Sequence, residues 1–222
     1  MTTAHFYHAT EVKPRVSIEE YLEREFYAET KSEYINGEIV PLWGTTTDQS
    51  GHVVAMAGAS IDHLTIASNL MGEIYASLRG KECRVYASDL CVKAEECESY
   101  FYPDLTVSCG DNRYTADNPP ALLNPSVIIE ILSQSTAARD RGEKFQCYLS
   151  IPSLREYILV SSHTPRIEHY TRCEDGRWFL SIWVGLGAMF TSETLGAEIP
   201  IRGIYAGMDF ANSTEEVIVS EA

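Results

Sequence analysis

Three segments, Tyr100–Gly110 (YFYPDLTVSCG), Pro125–Thr136 (PSVIIEILSQST) and Arg139–Tyr148 (RDRGEKFQCY), carry the reading of this chain. The middle one decides the fold. Val127–Leu132 is aliphatic apart from Glu130, and an apolar run of this length between turn signals is a strand buried inside a sheet. A carboxylate there is costly unless it is paired or bound to a cation, which makes Glu130 the strongest candidate for a functional side chain. An edge strand with Glu130 facing water is the alternative, and its aliphatic neighbours weigh against it. Working outward, Asp104 follows Pro103 at the head of an apolar run. The run Phe101–Val107 reads as one strand, with Tyr102, Asp104 and Thr106 on one face. Adjacent strands would bring Asp104 to Glu130, and two facing carboxylates call for a counter-ion. Lys144 lies near the start of the next helix, where a solvated lysine is the commoner case, and its removal is expected to cost the fold little. Two carboxylates with a nearby lysine suit metal-assisted phosphodiester hydrolysis. The acids hold a hard cation, and the cation polarises the phosphate and acidifies a water.

The bulk properties bound this reading. A chain of 222 residues with 45% hydrophobic content is long enough for one compact domain. The expected division is a flexible leader at 1–16, a single domain at 17–210 and an acidic tail at 211–222. No apolar run is long enough to span a membrane, and MTTAHFYHATEVKPRV at the start lacks the pattern of a secretory signal, so a cytoplasmic location is expected. The six cysteines form no CxxC pair and have no histidine at zinc spacing, which reads as free thiols in a reducing compartment. A formal net charge of −15 argues against a broad basic face for nucleic acid. Any such contact would be local, metal-assisted or presented by an oligomer. Phosphate-loop, dinucleotide and serine-hydrolase signatures are absent from the sequence.

Along the chain, Ser17 with Glu20 forms a capping box for a helix to about Ala28, stapled by Val16 and Tyr21. Asn36-Gly37 within EYINGEIVPLW predicts a type I′ hairpin, with Glu38 at the root of its second strand. Residues 44–59, which include His52, read as a long loop. Apolar spacing from Ile61 to Leu78 predicts the longest helix, with His63 in its first turn. Short strands follow around Asp89. Asp140 and Glu143 read as a second capping box, and Arg166–Thr171 with Trp178–Val184 read as antiparallel strands. His52 and His63 suggest zinc only faintly, and packing or solvation is the commoner role for both. Tyr100, Phe101 and Tyr102 suit packing better than base stacking.

With these residues in view, the blocks EYINGEIV, MAGASIDHLTIASNL, LRGKECRVYASDL, YFYPDLTV, LNPSVIIEILSQSTAARDRGEKFQCYLSIPSLREYILV and RIEHYTR resemble, in order, those of the Uma2 family of restriction-endonuclease-like proteins. The resemblance covers about Ser17 to Phe210. It implies an α/β, restriction-endonuclease-like (PD-(D/E)XK) core with a mixed central sheet flanked by helices and a Mg²⁺-dependent site, Mn²⁺ being an alternative metal. By position, Asp104 is the acid of the PD element and Glu130 that of the (D/E)XK element, and these two are the expected metal ligands. Glu38 matches the acid of the first block, as an extra ligand or water-orienting group, and Asp89 matches a further acidic position. The pattern's lysine falls at Leu132, and Lys144 of the following helix is its expected substitute. Residues 42–54 are an apparent insertion. The expected catalytic set is therefore Glu38, Asp104, Glu130 and Lys144, with Asp89 and His63 as additional candidates. The function implied is endonucleolytic cleavage of DNA by a homodimer. A non-catalytic binding module, or hydrolysis of RNA or a small phosphodiester, is the alternative.

Overall fold

The computed structural model describes residues 15–42, 44–47, 53–56, 59–133 and 136–210. Ser17 caps helix α1 (Ile18–Tyr27) by accepting the Glu20 N–H, and Val16 packs in the same cluster as Tyr21, as the capping-box reading expects. The hairpin β1 (Ser32–Ile35) and β2 (Glu38–Pro41) turns through Asn36 and Gly37. Both have positive φ, at 50° and 89°, as a type I′ turn requires. The stretch expected as a long loop instead contains a ribbon, β3 (Gly44–Thr47) with β4 (Val53–Met56). Threonine and β-branched valine favour extended pairing there over loop. Helix α2 (Ile61–Ser77) follows, capped by Ser60.

Next come β5 (Cys83–Ala87), β6 (Val92–Ala94), a 3₁₀ turn at Glu95–Cys97, β7 (Ser99–Phe101), β8 (Leu105–Cys109) and β9 (Val127–Leu132). The single strand expected over 101–107 is thus two, β7 and β8, which belong to different sheets. Pro103 brings no N–H to a ladder and holds its predecessor out of helical geometry, so the chain changes sheet at Tyr102-Pro103-Asp104. Helices α3 (Ala137–Arg141) and α4 (Glu143–Leu149) lead into β10 (Glu156–Ser161), β11 (Arg166–Arg172) and β12 (Trp178–Val184). The hairpin β13 (Met189–Ser192) and β14 (Ala197–Pro200) and the short α5 (Ile201–Ile204) complete the described chain. The second capping box does not form. Thr136 and Gly142 occupy the two N-cap positions, and Asp140 lies buried inside α3.

The main sheet has the order β12-β11-β10-β9-β8-β5 and the smaller one β2-β1-β7-β6. In the main sheet β9 pairs parallel with β10 and antiparallel with β8, which makes it mixed, with Glu130 on an interior strand. Side-chain alternation along β9 divides the core. Val127, Ile129 and Ile131 pack with Ile66, Leu70 and Ile74 of α2. Ile128 and Leu132 pack on the opposite face with Cys147 and Tyr148 of α4. Helix α1 packs through Tyr21 against Tyr34 and Tyr100 of the smaller sheet.

The cysteines depart from the expectation of free thiols. Cys83 and Cys109 stand opposite each other in the β5–β8 ladder and are disulfide-bonded, and a second disulfide joins Cys97 to Cys147. Separations of 26 and 50 residues hide from the sequence a proximity that strand pairing and the docking of α4 create. Cys91 (buried) and Cys173 (exposed) remain thiols. No helix among the described residues is long and apolar enough to cross a membrane.

Candidate active site

The site lies where the two sheets meet. Glu130 projects from β9 toward α4, on the face it shares with Ile128 and Leu132, and is 4% exposed. Its Oε1 accepts from Lys144 Nζ at 2.8 Å and from the Tyr148 hydroxyl at 2.9 Å. Four residues separate Lys144 from Tyr148, so one turn of α4 presents both to the same carboxylate. Lys144 is 5% exposed, which corrects the expectation of a solvated side chain. It bridges Glu33 Oε1 at 2.9 Å and approaches Asp140 Oδ1 at 3.6 Å. Glu33 also accepts the Tyr102 N–H at 3.3 Å, which links β1 to the crossing between the sheets.

Asp104 stands at that crossing. Its Oδ2 accepts the Ile131 N–H at 2.7 Å and its Oδ1 meets His63 Nε2 at 2.9 Å. A bond to the backbone of β9 fixes Asp104 one residue away from Glu130 along the strand. The Asp104 side chain is 20% exposed, so the group is buried at Glu130 and opens toward solvent at Asp104 and His63.

Glu33, Asp104, Glu130 and Asp140 put four carboxylates around one ammonium. Burial drives the Glu130 carboxyl well above its ordinary range, Lys144 pulls it back, and the charges of Asp140, Asp104 and Glu33 push it up again. Asp140 is raised for the same first reason. Burial alone would lower the Lys144 ammonium, but Glu130, Glu33 and Asp140 outweigh it, and the lysine stays charged. For His63, burial works downward and the bond and charge of Asp104 raise the imidazole above its ordinary value. The cluster therefore has more negative charge than its own cations offset.

Among the described residues, no three His, Cys, Asp or Glu side chains are gathered as a ready metal cage. A Mg²⁺ ion does not require one, because it binds through one or two carboxylates and keeps waters or substrate oxygens for the rest. The excess of carboxylate oxygen at Asp104 and Glu130 fits that donor chemistry. A cavity of about 390 Å³ opens at the carboxyl ends of β9 and β10, lined by Leu132, Arg141, Ser161 and His163 among others. Arg141 is held there by two bonds to Glu168, at 3.1 and 2.9 Å.

Residues 47–202 match the family Uma2, whose description reads "Putative restriction endonuclease". The chain belongs to the Uma2 family. Two uncharacterised proteins of Synechocystis sp. are similar to it. One, sll1609, is 37% identical over 169 residues, spanning 76% of this chain and 88% of its own. The other, slr1290, is 31% identical over 199 residues, spanning 89% and 95%. Among solved structures, a protein of Anabaena variabilis titled "a putative nuclease belonging to DUF820" superposes with a TM-score of 0.61 at 16% identity, over 86% of this chain and 97% of that one. The mixed α/β, nuclease-like fold expected from the sequence is thus the fold found.

Within this Uma2 chain, Asp104, Glu130, Lys144 and His63 converge on the crossing between the sheets. Glu38 does not join them. It is exposed beside the hairpin turn, paired in register with Ile35, and no bond or ion pair among the described residues links it to the cluster. Asp89 is also remote, with an 88% exposed side chain in an ion pair with Lys31. His52 lies outside the described residues. The sequence reading missed Glu33, Asp140 and Tyr148. A buried acid at Glu33 is hard to see in a four-residue strand, but Tyr148 follows Lys144 at helical spacing behind an aromatic-rich segment, and that much was visible.

Proposed function

We propose that this protein is a Mg²⁺-dependent nuclease that hydrolyses DNA phosphodiester bonds. The observation that carries the reading is the carboxylate cluster itself, in which Glu130 is buried on an interior strand and Asp104 is tied to that strand's backbone at the solvent-facing side. In this reading Asp104 and Glu130 hold the metal. When bound, Mg²⁺ supplies Lewis acidity toward a phosphate oxygen and an acidified water. His63 fixes the orientation of Asp104 through its ring nitrogen. Lys144 takes the place of the lysine that the family pattern has at Leu132. It draws the Glu130 carboxyl back down from where burial alone would put it and offsets the charge of the surrounding acids, while Tyr148 donates to the same oxygen and keeps the carboxyl group in one orientation. Glu33 replaces Glu38 as the acid supplied by the first hairpin. Arg141, bonded to Glu168, brings one guanidinium to the cavity near the site, so a substrate phosphate can be met locally without a broad basic face.

The test compares wild type with Glu130→Gln on supercoiled DNA, single-stranded DNA and RNA, with Mg²⁺ and with chelator. Wild type is expected to nick DNA only with metal, and the variant to fold normally by circular dichroism and be inactive. Cleavage by Glu130→Gln at the wild-type rate would make Glu130 structural. Failure of the folded wild type to cleave any of the three substrates with Mg²⁺ or Mn²⁺ would leave a non-catalytic module with a nuclease fold as the better reading.

A further inference from the structure

Among the described residues, strand β12 closes one end of the main sheet, and its seven residues, WFLSIWV, include no charge and no proline. Natural edge strands are normally blunted by charges, prolines or bulges, because an open row of N–H and C=O groups recruits another strand. None of these devices is present in β12. Its register with β11 runs without a bulge from Arg166↔Val184 to Arg172↔Trp178. Phe179, Leu180, Ile182 and Val184 are 63%, 42%, 48% and 57% exposed.

The phase of the ladder shows which backbone groups are open. The Cys173 N–H donates to the Arg177 carbonyl at 2.7 Å and the Gly185 N–H to the Pro165 carbonyl at 2.8 Å. In an antiparallel pair the bonded positions alternate. Arg177, Phe179, Ser181, Trp183 and Gly185 therefore bond toward β11. Trp178, Leu180, Ile182 and Val184 direct their N–H and C=O groups away from the sheet.

We infer that β12 is a homodimer interface at which a second copy of this chain pairs antiparallel about a two-fold axis through Ser181, joining the two six-stranded sheets into one. This register is self-consistent. A two-fold at Ser181 sets Leu180 opposite Ile182 of the partner subunit and Trp178 opposite Val184 of the partner subunit. All four outward-facing residues then meet outward-facing residues and exchange bonds. The apolar row Leu180-Ile182-Val184 continues across the axis on one face, and Phe179 extends it on the other. The charged turn at Glu174–Arg177 falls beside the partner's Gly185–Gly187 segment, so like charges are not opposed. The same patch on both copies makes an isologous contact, as closed dimers require.

The contact is an edge-to-edge one, in which main-chain bonds at Trp178, Leu180, Ile182 and Val184 supply the attraction and the apolar side chains beside them exclude water. The charge argument selects the same surface. Two copies at −15 each repel over most of their area and least along an uncharged edge, so salt should strengthen the association by screening that repulsion.

The test uses the full chain. Light scattering is expected to give twice the 24.8 kDa chain mass, with the dissociation constant falling as salt is raised from low to physiological ionic strength. Ile182→Lys puts an ammonium opposite the partner's Leu180 and diagonal to its own symmetry mate, and should give a folded monomer. Ser181→Cys, in a Cys173→Ser background, is the positional probe. Non-bonded antiparallel partners lie about 4.5 Å apart at Cα, within disulfide reach, so it should form an interchain disulfide under mild oxidation, while Leu180→Cys should not. If Ile182→Lys misfolds, the Ser181→Cys result decides alone. The measurement is made at about 100 μM, roughly 100-fold above the dissociation constant of an ordinary micromolar dimer, where a monomer overturns the inference. A dimer that neither substitution perturbs, or that Ser181→Cys does not cross-link, also overturns it, because the contact then lies elsewhere. Monomeric protein whose β12 resists modification would show that another segment of the chain covers the edge.

Discussion

Replacing Lys144 by methionine should destabilise the fold, and the loss should depend on pH. Methionine keeps most of the stem's volume, so the packing against Phe101 and Tyr148 is largely retained and the missing term is the charge. Lys144 lies 2.8 Å from Glu130, 2.9 Å from Glu33 and 3.6 Å from Asp140, and all four side chains are buried. Removing one partner of a buried ion pair costs about 3–5 kcal/mol, because the other charge stays behind uncompensated. For a chain of this size that corresponds to a fall in Tm of roughly 6–20 °C. The sign with pH follows from Glu130, whose carboxyl is already raised by burial. Without the ammonium it rises further. A group whose folded pKa exceeds its unfolded one contributes stability at low pH and loses it as pH rises through the folded value. The gap between wild type and Lys144→Met should therefore widen from pH 5 to pH 8, as read by urea denaturation at both values. A gap below about 1 kcal/mol, or one equal at the two pH values, would refute the counter-ion role.

Three further outcomes follow from the geometry. Mg²⁺ should raise Tm by binding at Asp104 and Glu130, contributing about 2.7 kcal/mol at a hundred times its dissociation constant, and a flat millimolar titration by calorimetry would count against the site. Asp104→Asn should lower the His63 pKa, measured by NMR, because burial alone depresses it once the carboxylate is gone. In wild type the raised value means that His63 contributes stability below its unfolded pKa and loses that contribution as pH rises through the folded one. Gly37→Ala should lower the unfolding free energy by about 1–2 kcal/mol, from the left-handed cost of a side chain, seen as a lower urea midpoint. Its φ is +89° and a Cβ would come within 2.9 Å of the Arg15 side chain, so an unchanged midpoint would mean that the turn can relax.

The sequence reading succeeded where local chemistry and long-range structure agree. An aliphatic run around Glu130 is sufficient to place it inside a sheet, and Asn36-Gly37 is sufficient to set the hairpin. Ser17 caps as its neighbours suggest. It failed where identity is conferred by a distant partner. Glu38 and Glu33 sit on one hairpin and look alike in sequence, and only Lys144, 111 residues from Glu33, distinguishes the buried acid from the exposed one. Asp140 looks like a cap because aspartate before a glutamate usually is one. Here Thr136 starts the helix a turn earlier and leaves Asp140 facing Lys144 four residues on. The division of one expected strand into β7 and β8 was written in Pro103, but choosing between a pause in one strand and a passage between two sheets needs the sheets themselves.

Among the described residues, the ribbon β3–β4 shares no hydrogen-bonded edge with either larger sheet. A two-stranded hairpin has little independent stability, and no other described strand takes its register from this one. Residues added to or removed from its tip leave untouched the pairings Leu105↔Ile129 and Leu159↔Glu130, which place the acids. In engineering terms the ribbon is a port, a place where a foreign peptide or a different loop length can be spliced in while the ionic centre is left intact.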